Sequence, residues 1–243
     1  MSSEAIETIK RYFSSDENIM QFFGDKSEAY EIRDYLCNGE KFPGDIPDMA
    51  LTLNENCLAI EHFEFDSSQN SKKGSHNKIE LARIERKFDQ STSETFLSDT
   101  INVSSSYQQY VTNVSMQFEN HYKKIEAYKK NLIEKGIAFS DDSIKITFLI
   151  EDCSPLGTIA YYDDDNDVKR EPITLAKSPE FLTLMRKCPN VDYVIACSSA
   201  LERKFIWLIS QKSLDEYDKN ALNYSQMKFC EFTPHVCGFN IEI

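Results

Sequence analysis

Two acidic residues, Asp48 and Glu61, occupy positions where adjacent strands would bring their carboxylates together. Asp48 opens the apolar run 48–53, and Glu61 lies in the middle of the run 57–66, after a turn at 54–56. Neighbouring strands are only about 4.8 Å apart, so an acid on one strand can face an acid on the next. Two such carboxylates can hold a hard cation such as Mg²⁺ or Mn²⁺, which polarises a phosphate and activates an attacking water. The segment therefore predicts a divalent metal site.

This segment resembles the PD-(D/E)XK phosphodiesterase superfamily, the restriction-endonuclease-like nucleases. The family motif is Pro-Asp at the start of one strand, then an acid, any residue and a lysine on the next strand. Pro47 and Asp48 match the first half, and residues 61–63 match the second half except at its last position. The resemblance covers roughly residues 27–151. It implies a Mg²⁺- or Mn²⁺-dependent endonuclease that cleaves nucleic-acid phosphodiesters.

The sequence departs from this motif at Phe63, which stands where the family has its lysine. In the family that lysine positions the nucleophilic water and stabilises developing negative charge, and a phenyl ring does neither. The resemblance leaves two alternatives. Either Lys72 or Lys73, just beyond the strand, supplies the catalytic cation, or the fold is catalytically inactive and serves as a protein-interaction or binding module.

The opposite face of the same strand offers a second set of polar residues. Side chains alternate along a strand, so Glu61 shares one face with two phenylalanines, while His62, Glu64 and Asp66 share the other. The phenylalanines predict that Glu61 points to the buried side. The other face is either a ligand set of its own or simply solvent-exposed, as one face of an antiparallel hairpin commonly is.

Charge is distributed unevenly along the chain. The formal net charge is −13, from 27 basic and 40 acidic residues, which argues against a histone-like binder. Between 67 and 90, however, six basic residues outnumber three acidic ones. We expect this basic tract to contact the phosphates of DNA or RNA. Its basic residues are Lys72, Lys73, Lys78, Arg83, Arg86 and Lys87.

Helices are predicted wherever apolar residues recur at helical spacing. Ser27 is typical of an N-cap and Gly39 of a helix stop, so one helix lies between them. Ser178, which precedes a proline, begins another helix, and Ser213 opens the capping box of a third. Further helical spacing covers parts of the first forty residues, 78–88 and 107–135.

The strands predict an α/β fold with a central mixed sheet flanked by helices. Three runs beyond the hairpin are short and almost wholly apolar, which is typical of interior strands covered on both faces. Helix, hairpin, long helix and strand follow in an order that resembles the αβββαβ core of the family. The side chains expected to be buried in one sheet are Phe148, Ile150, Val194, Ile195, Ile206 and Trp207.

Composition predicts one intracellular, cytoplasmic domain over residues 1–243, with a nuclease-like core at about 27–151 and further strands and helices at 152–243. The chain is 41% hydrophobic and 12% aromatic, which supplies a sizeable core. No run approaches the ~18 apolar residues of a membrane span. The seven cysteines lack CxxC spacing, so they are expected to be reduced core residues rather than zinc ligands.

Two other acidic features have weaker patterns. Residues 163–167 alternate acids as a calcium loop does, but Val168 stands where an EF-hand needs glycine, so a solvated acidic turn is expected. Glu151 and Asp152 close a predicted strand, either as further metal ligands or as charges that end the strand. The polar tract 67–77 has no apolar anchor and is expected to be mobile.

Overall fold

The protein is described by a computed structural model over residues 20–67, 76–90, 96–100, 106–154, 158–162, 168–198, 206–224, 228–230 and 235–239. The chain divides into two compact units. The first comprises Met1–Glu64, Ser115–Asp152 and Thr174–Asn223, and the second comprises Phe65–Val114, Cys153–Ile173 and Tyr224–Ile243. The expectation of one domain over the whole chain stays a prediction.

The described helices are α1 (Lys26–Asn38), α2 (His76–Asp89), α3 (Tyr107–Tyr122), α4 (Ile125–Glu134), α5 (Pro179–Lys187) and α6 (Leu214–Asp218). The described strands are β1 (Met20–Gln21), β2 (Glu40–Pro43), β3 (Met49–Leu53), β4 (Asn56–Phe65), β5 (Phe96–Thr100), β6 (Ile144–Asp152), β7 (Thr158–Tyr162), β8 (Val168–Pro172), β9 (Tyr193–Ser198), β10 (Ile206–Ser210), β11 (Lys228–Cys230) and β12 (His235–Phe239).

The first unit contains a seven-stranded mixed sheet in the order β1-β10-β9-β6-β4-β3-β2. Strands β2, β3 and β4 are antiparallel neighbours, whereas β6 pairs with β9 in parallel. The predicted α/β class with a central mixed sheet and flanking helices is therefore confirmed. The second unit contains two smaller sheets, β11-β7-β8 and β12-β5.

Both faces of the large sheet are covered, as the apolar strands predicted. Successive residues of β6 point to opposite faces. Leu149 joins the core that α1 covers through Ile32 and Tyr35, while Phe148 packs edge-to-face against Phe118 of α3 at 5.0 Å. The six side chains expected in one buried sheet are all at most 8% exposed: Phe148, Ile150, Val194, Ile195, Ile206 and Trp207.

The predicted hairpin forms with a two-residue loop. Asn54 and Glu55 both have positive φ, at 50° and 66°, which is the conformation that a type I′ turn requires of its central residues. The register pairs Met49 with Ile60. Continuing it by one residue places Asp48 opposite Glu61, so the hairpin alone brings the two acids across from each other.

The helix predicted over 107–135 is wrong in its continuity, since it consists of α3 and α4 with a tight turn between them. Lys123 still donates its backbone N–H to Glu119, four residues back, but Lys124 donates to His121, only three residues back. This shortened hydrogen bond ends α3. The break places His121 in the last turn of one helix and Tyr128 in the first turn of the next.

The predicted helix boundaries are only partly correct. The N-cap of α1 is Asp25 rather than Ser27, because the carboxylate of Asp25 accepts the backbone N–H of Ser27 at 3.0 Å. Gly39 ends this helix and Ser178 caps α5, as predicted. Ser213 precedes α6 but makes no capping hydrogen bond there, since its hydroxyl donates to Glu28 at 2.7 Å.

The expectations for the cysteines and the polar tracts can also be compared with the structure. Cys57, Cys188 and Cys197 are buried, as expected of core cysteines, whereas Cys37 is exposed. Most of the tract 67–77 and all of 163–167 lie outside the described residues. Across the part of the chain that is described, no helix combines the length and apolarity needed to cross a membrane.

Candidate functional site

Asp48 and Glu61 form a buried acidic pair on the sheet face that α3 and α4 cover. They are 9% and 6% exposed. Asp48 is oriented by the backbone N–H of His62, which donates to its Oδ2 at 2.9 Å. Burial raises the pKa of the Asp48 carboxyl above its usual range, and the negative charge of Glu61 adds to this; the His62 hydrogen bond opposes it. The two charges are therefore close enough to repel each other.

The two carboxylate oxygens of Glu61 have different surroundings. Oε1 lies 2.7 Å from Nδ1 of His121, a charge-assisted hydrogen bond when that nitrogen carries a proton. Oε2 is buried and takes no part in that contact. The Tyr128 hydroxyl lies within hydrogen-bonding reach of the same carboxylate.

The imidazole of His121 is held in place by the residue at the motif's lysine position. The ring of Phe63 lies 4.6 Å from it, centroid to centroid, with only 11° between the ring planes. Phe148 contacts both rings edge-on, at 5.8 Å from Phe63 and 6.4 Å from His121. This aromatic support fixes the orientation of the nitrogen that contacts Glu61.

Tyr128 completes the site from α4. Its side chain is 1% exposed. Burial raises the pKa of the Tyr128 hydroxyl above its usual range, and the charge of Glu61, a hydrogen bond to its carboxylate and the charge of Asp48 raise it further. The hydroxyl and the Glu61 carboxylate therefore lie within hydrogen-bonding reach of each other.

The opposite face of β4 is not simply solvent-exposed. The side chain of His62 is only 7% exposed, and its Nε2 lies 3.4 Å from Oε2 of Glu151 on β6. Glu151 is 4% exposed, so this imidazole and this carboxylate form a buried close contact. Glu64, further along this face, is half-buried. The pair of His62 and Glu151 supports β4 from behind the acidic pair.

The two carboxylates suit a single Mg²⁺ or Mn²⁺ ion whose other ligands are water or substrate, rather than an ion bound by protein ligands alone. Mg²⁺ is usually bound through one or two carboxylates, while waters and substrate phosphates complete its coordination. Glu61 keeps its second oxygen outside the contact with His121, and its charge acts on Asp48. Within the described ranges no group of three or more His, Cys, Asp or Glu side chains is arranged to hold a metal ion. The residues present therefore fit a cation that substrate and water help to bind.

Only part of the predicted basic tract lies within the described residues. Lys72 and Lys73 lie outside the described residues, and so does the side chain of Lys78, whose backbone belongs to α2. Arg83 contacts Glu80 at 2.9 Å and is exposed, as are Arg86 and Lys87. Helix α2 belongs to the second unit and the acidic pair to the first. The nucleic-acid contacts of this tract stay predictions.

Sequence reasoning missed His121 and Tyr128 as members of the site. The signal was present but indirect, because a buried Glu61 needs a cationic or donor partner. His121 and Tyr128 are seven residues apart, a spacing that would place them on one side of an unbroken helix. Nothing local in the sequence links these two residues to a strand sixty positions earlier.

Replacing His121 with alanine is expected to destabilise the protein by about 1–3 kcal/mol, because Glu61 Oε1 would stay buried without its donor. Urea unfolding at neutral pH measures this. The matched test combines His121→Ala with Glu61→Gln. The double variant has no uncompensated charge, so it should lose less stability than the sum of the two single variants. Strict additivity would show that His121 and Glu61 do not interact.

Models of protein families, curated proteins and solved structures were compared with the chain, and none of them matches it. The resemblance to the PD-(D/E)XK superfamily accordingly stays a prediction from residues 47–48 and 61–63, and so do the activity, the cofactor and the partners that it implies.

Proposed function

We propose that this protein is a divergent metal-dependent phosphodiesterase of the nuclease type, in which Asp48 and Glu61 bind one Mg²⁺ or Mn²⁺ ion. The observation that carries the proposal is the buried pair of carboxylates itself, Asp48 and Glu61, whose charges act on each other. Two acids packed together without a cation repel each other and destabilise the fold. Such a local conflict is expected where a ligand supplies the missing charge.

The neighbouring residues support this role by fixing the two ligands. The backbone N–H of His62 holds one oxygen of Asp48, and His121 holds Oε1 of Glu61. Both contacts leave the remaining carboxylate oxygens for a cation. When bound, the cation polarises the phosphodiester and activates a water molecule for attack. The role of the family's lysine falls in this proposal to Lys72 or Lys73, and the basic tract binds the nucleic-acid backbone.

A second candidate function is supported by the packing of Phe63. This side chain is 6% exposed and contacts Phe148 and His121, so the motif's lysine position is part of the hydrophobic core. Such packing suits a nuclease-like fold that has lost catalysis and serves as a binding module for a protein or a nucleic acid. The acidic net charge of −13 favours a protein partner in this alternative.

Titration calorimetry with Mn²⁺, followed by cleavage assays on single- and double-stranded DNA and RNA, separates the two candidates. We expect the wild type to bind about one Mn²⁺ and to cleave at least one substrate in its presence. Lys72→Ala together with Lys73→Ala should slow cleavage and flatten its salt dependence. Lys130→Ala, on an exposed lysine paired with Glu134, is the control and should change neither.

The outcomes are distinct. Metal binding without cleavage of any substrate would favour the inactive module. No metal binding would contradict the proposed function altogether. Cleavage that is unchanged in the double lysine variant would show that the missing cation comes from elsewhere in the chain.

A further inference from the structure

The junction between α1 and β2 contains an exposed asparagine followed by a glycine. Asn38 is the last residue of α1, and Gly39 precedes the first residue of β2. Asparagine is among the thermolabile side chains of proteins. Its side-chain carbonyl carbon is open to attack by the backbone nitrogen of the next residue, and glycine hinders that attack least because it has no Cβ. The dipeptide therefore has the composition of a deamidation site.

The fold does not allow a bulkier residue after Asn38. A Cβ at position 39 would lie 2.5 Å from the carbonyl oxygen of Tyr35 and 3.3 Å from the side chain of Leu51. The first of these neighbours is backbone of α1, so it cannot move aside without deforming the end of the helix. The close packing at this junction thus requires glycine, which leaves Asn38 with an unhindered neighbour.

Two hydrogen bonds restrain the reacting groups in the folded protein. The nitrogen that would attack, the backbone N–H of Gly39, donates to the carbonyl of Tyr35 at 2.9 Å. The group that would leave, Nδ2 of Asn38, donates to Oδ1 of Asp34 at 2.6 Å. Both contacts belong to the last turn of α1, and helix ends open locally far more readily than a whole protein unfolds. The opening of one helical turn therefore controls the reaction.

We propose that Asn38 is a site of spontaneous deamidation that reacts when the last turn of α1 opens. The backbone nitrogen of Gly39 gives up its proton and bonds to Cγ of Asn38, and the bond from Cγ to Nδ2 breaks, which releases ammonia and leaves a succinimide ring. Water then adds to either carbonyl carbon and opens the ring. One product has aspartate at this position, and the other has isoaspartate, in which the backbone runs through the side chain. The proposal is independent of the proposed function.

Either product should weaken the junction in which it forms. The new carboxylate replaces a donor and faces Asp34, four residues earlier, so a hydrogen bond becomes a repulsion between like charges. A negative charge in the last turn also interacts unfavourably with the helix dipole. Isoaspartate in addition lengthens the backbone just before Glu40, which pairs with Thr52 of β3. The modification thus marks molecules whose helix end has opened, and it favours further opening.

The test incubates the full-length protein at neutral pH, folded or in urea, and measures the conversion of Asn38 in the tryptic peptide 34–41 by tandem mass spectrometry. Asn38 should be converted in both samples, and about tenfold or more slowly in the folded one, because the reaction there follows the population of the open turn. Asn220 is the matched internal control. It is exposed and its amide donates to the carbonyl of Glu216, four residues earlier, but alanine follows it. In urea it should be converted more slowly than Asn38.

Two variants test the reacting group and its product. Asn38→Gln should prevent the conversion, because a longer side chain closes the ring much more slowly. Asn38→Asp should lower Tm by about 1–4 °C, the cost of like charges at a helix end. No conversion of Asn38 in the folded protein, or equal rates with and without urea, would overturn the proposal. Conversion of Asn220 as fast as Asn38 in urea would overturn the role of Gly39, and an unchanged Tm would overturn the expected destabilisation.

Discussion

Asp48→Asn is expected to stabilise the cation-free protein at neutral pH and to abolish its stabilisation by Mn²⁺. Burial and the nearby charge of Glu61 raise the pKa of Asp48 in the folded state above its unfolded value. A carboxyl with a raised pKa stabilises the fold while protonated, and this contribution is lost as the pH rises through the folded pKa. At neutral pH the charge of Asp48 is therefore a cost. Asparagine removes the charge and keeps an oxygen for the N–H of His62.

We expect the cation-free variant to gain about 1 kcal/mol, or roughly 2–4 °C in Tm for a chain of this size. The stability gained by the variant over the wild type should also grow as the pH rises from the acid range to neutrality, since only the wild type loses the Asp48 contribution there. Thermal unfolding between acid and neutral pH measures both effects.

The same variant should lose the rise in Tm that Mn²⁺ gives the wild type. A cation that binds only the folded state stabilises it by about 2.7 kcal/mol at a free concentration of a hundred times its Kd, or roughly 5–10 °C here. Loss of a residue that merely supports a ligand typically costs 10- to 100-fold in metal affinity, so loss of the ligand Asp48 should cost about a hundredfold or more. The Tm of Asp48→Asn should then be almost insensitive to Mn²⁺.

Asp192→Asn is a closely matched control. Asp192 accepts the backbone N–H of Ile146 at 2.8 Å, and burial raises its pKa as it does for Asp48. No second carboxylate contributes to that shift, because the charged side chains that act on Asp192 are lysines. Its replacement should leave the Mn²⁺-dependent rise in Tm intact. A wild type that gains no stability from Mn²⁺, or a variant that gains as much, would contradict the assignment of Asp48.

The acidic pair was predictable because its geometry depends on local sequence. The alternation of β3 and β4 and the left-handed turn at Asn54 and Glu55 fix the register of the hairpin. Once the register is fixed, Asp48 and Glu61 must lie opposite each other. The apolar strands β6, β9 and β10 were predictable for a similar reason, since an unbroken apolar run has no polar face to expose.

The partners of the acidic pair were not predictable, because they depend on how a distant helix packs on the sheet. The contact between His121 and Glu61 joins residues sixty positions apart. The break between α3 and α4 was missed as well, because a continuous helical pattern over 107–135 conceals it. Apolar spacing identifies the buried side of a helical segment, but it does not show where one hydrogen bond shortens and the helix ends.

The role of Phe63 is interpreted differently from the sequence and from the structure. In the resemblance proposed from the sequence, it stands where the family has a lysine. In the fold it is the aromatic surface on which His121 lies and a contact of Phe148. Phe63 therefore has a structural role of its own, because it orients the imidazole that contacts Glu61. Its importance to metal binding can be measured without assuming any catalytic role.

Phe63→Ala is expected to destabilise the protein by about 3–5 kcal/mol, as large-to-small changes of buried aromatic residues do. It should also weaken Mn²⁺ binding, because His121 would lose its stacking surface and Glu61 its fixed donor. Phe63→Leu keeps most of the volume and should cost under about 1.5 kcal/mol. The leucine variant therefore isolates the effect of the aromatic stack on affinity. Urea unfolding and Mn²⁺ calorimetry measure the two quantities separately.

Phe65→Ala is the control from the same strand. Phe65 lies two residues along on the same face of β4, is 2% exposed and packs edge-to-face on Tyr110 at 5.0 Å. Its replacement should destabilise the protein to a similar degree, yet it contacts neither His121 nor Glu61 in any described interaction. Mn²⁺ affinity should therefore fall in both Phe63 variants and remain unchanged in Phe65→Ala. If all three variants lose affinity in proportion to stability, Phe63 acts only as a core residue, and the positioning of Glu61 does not depend on the stack.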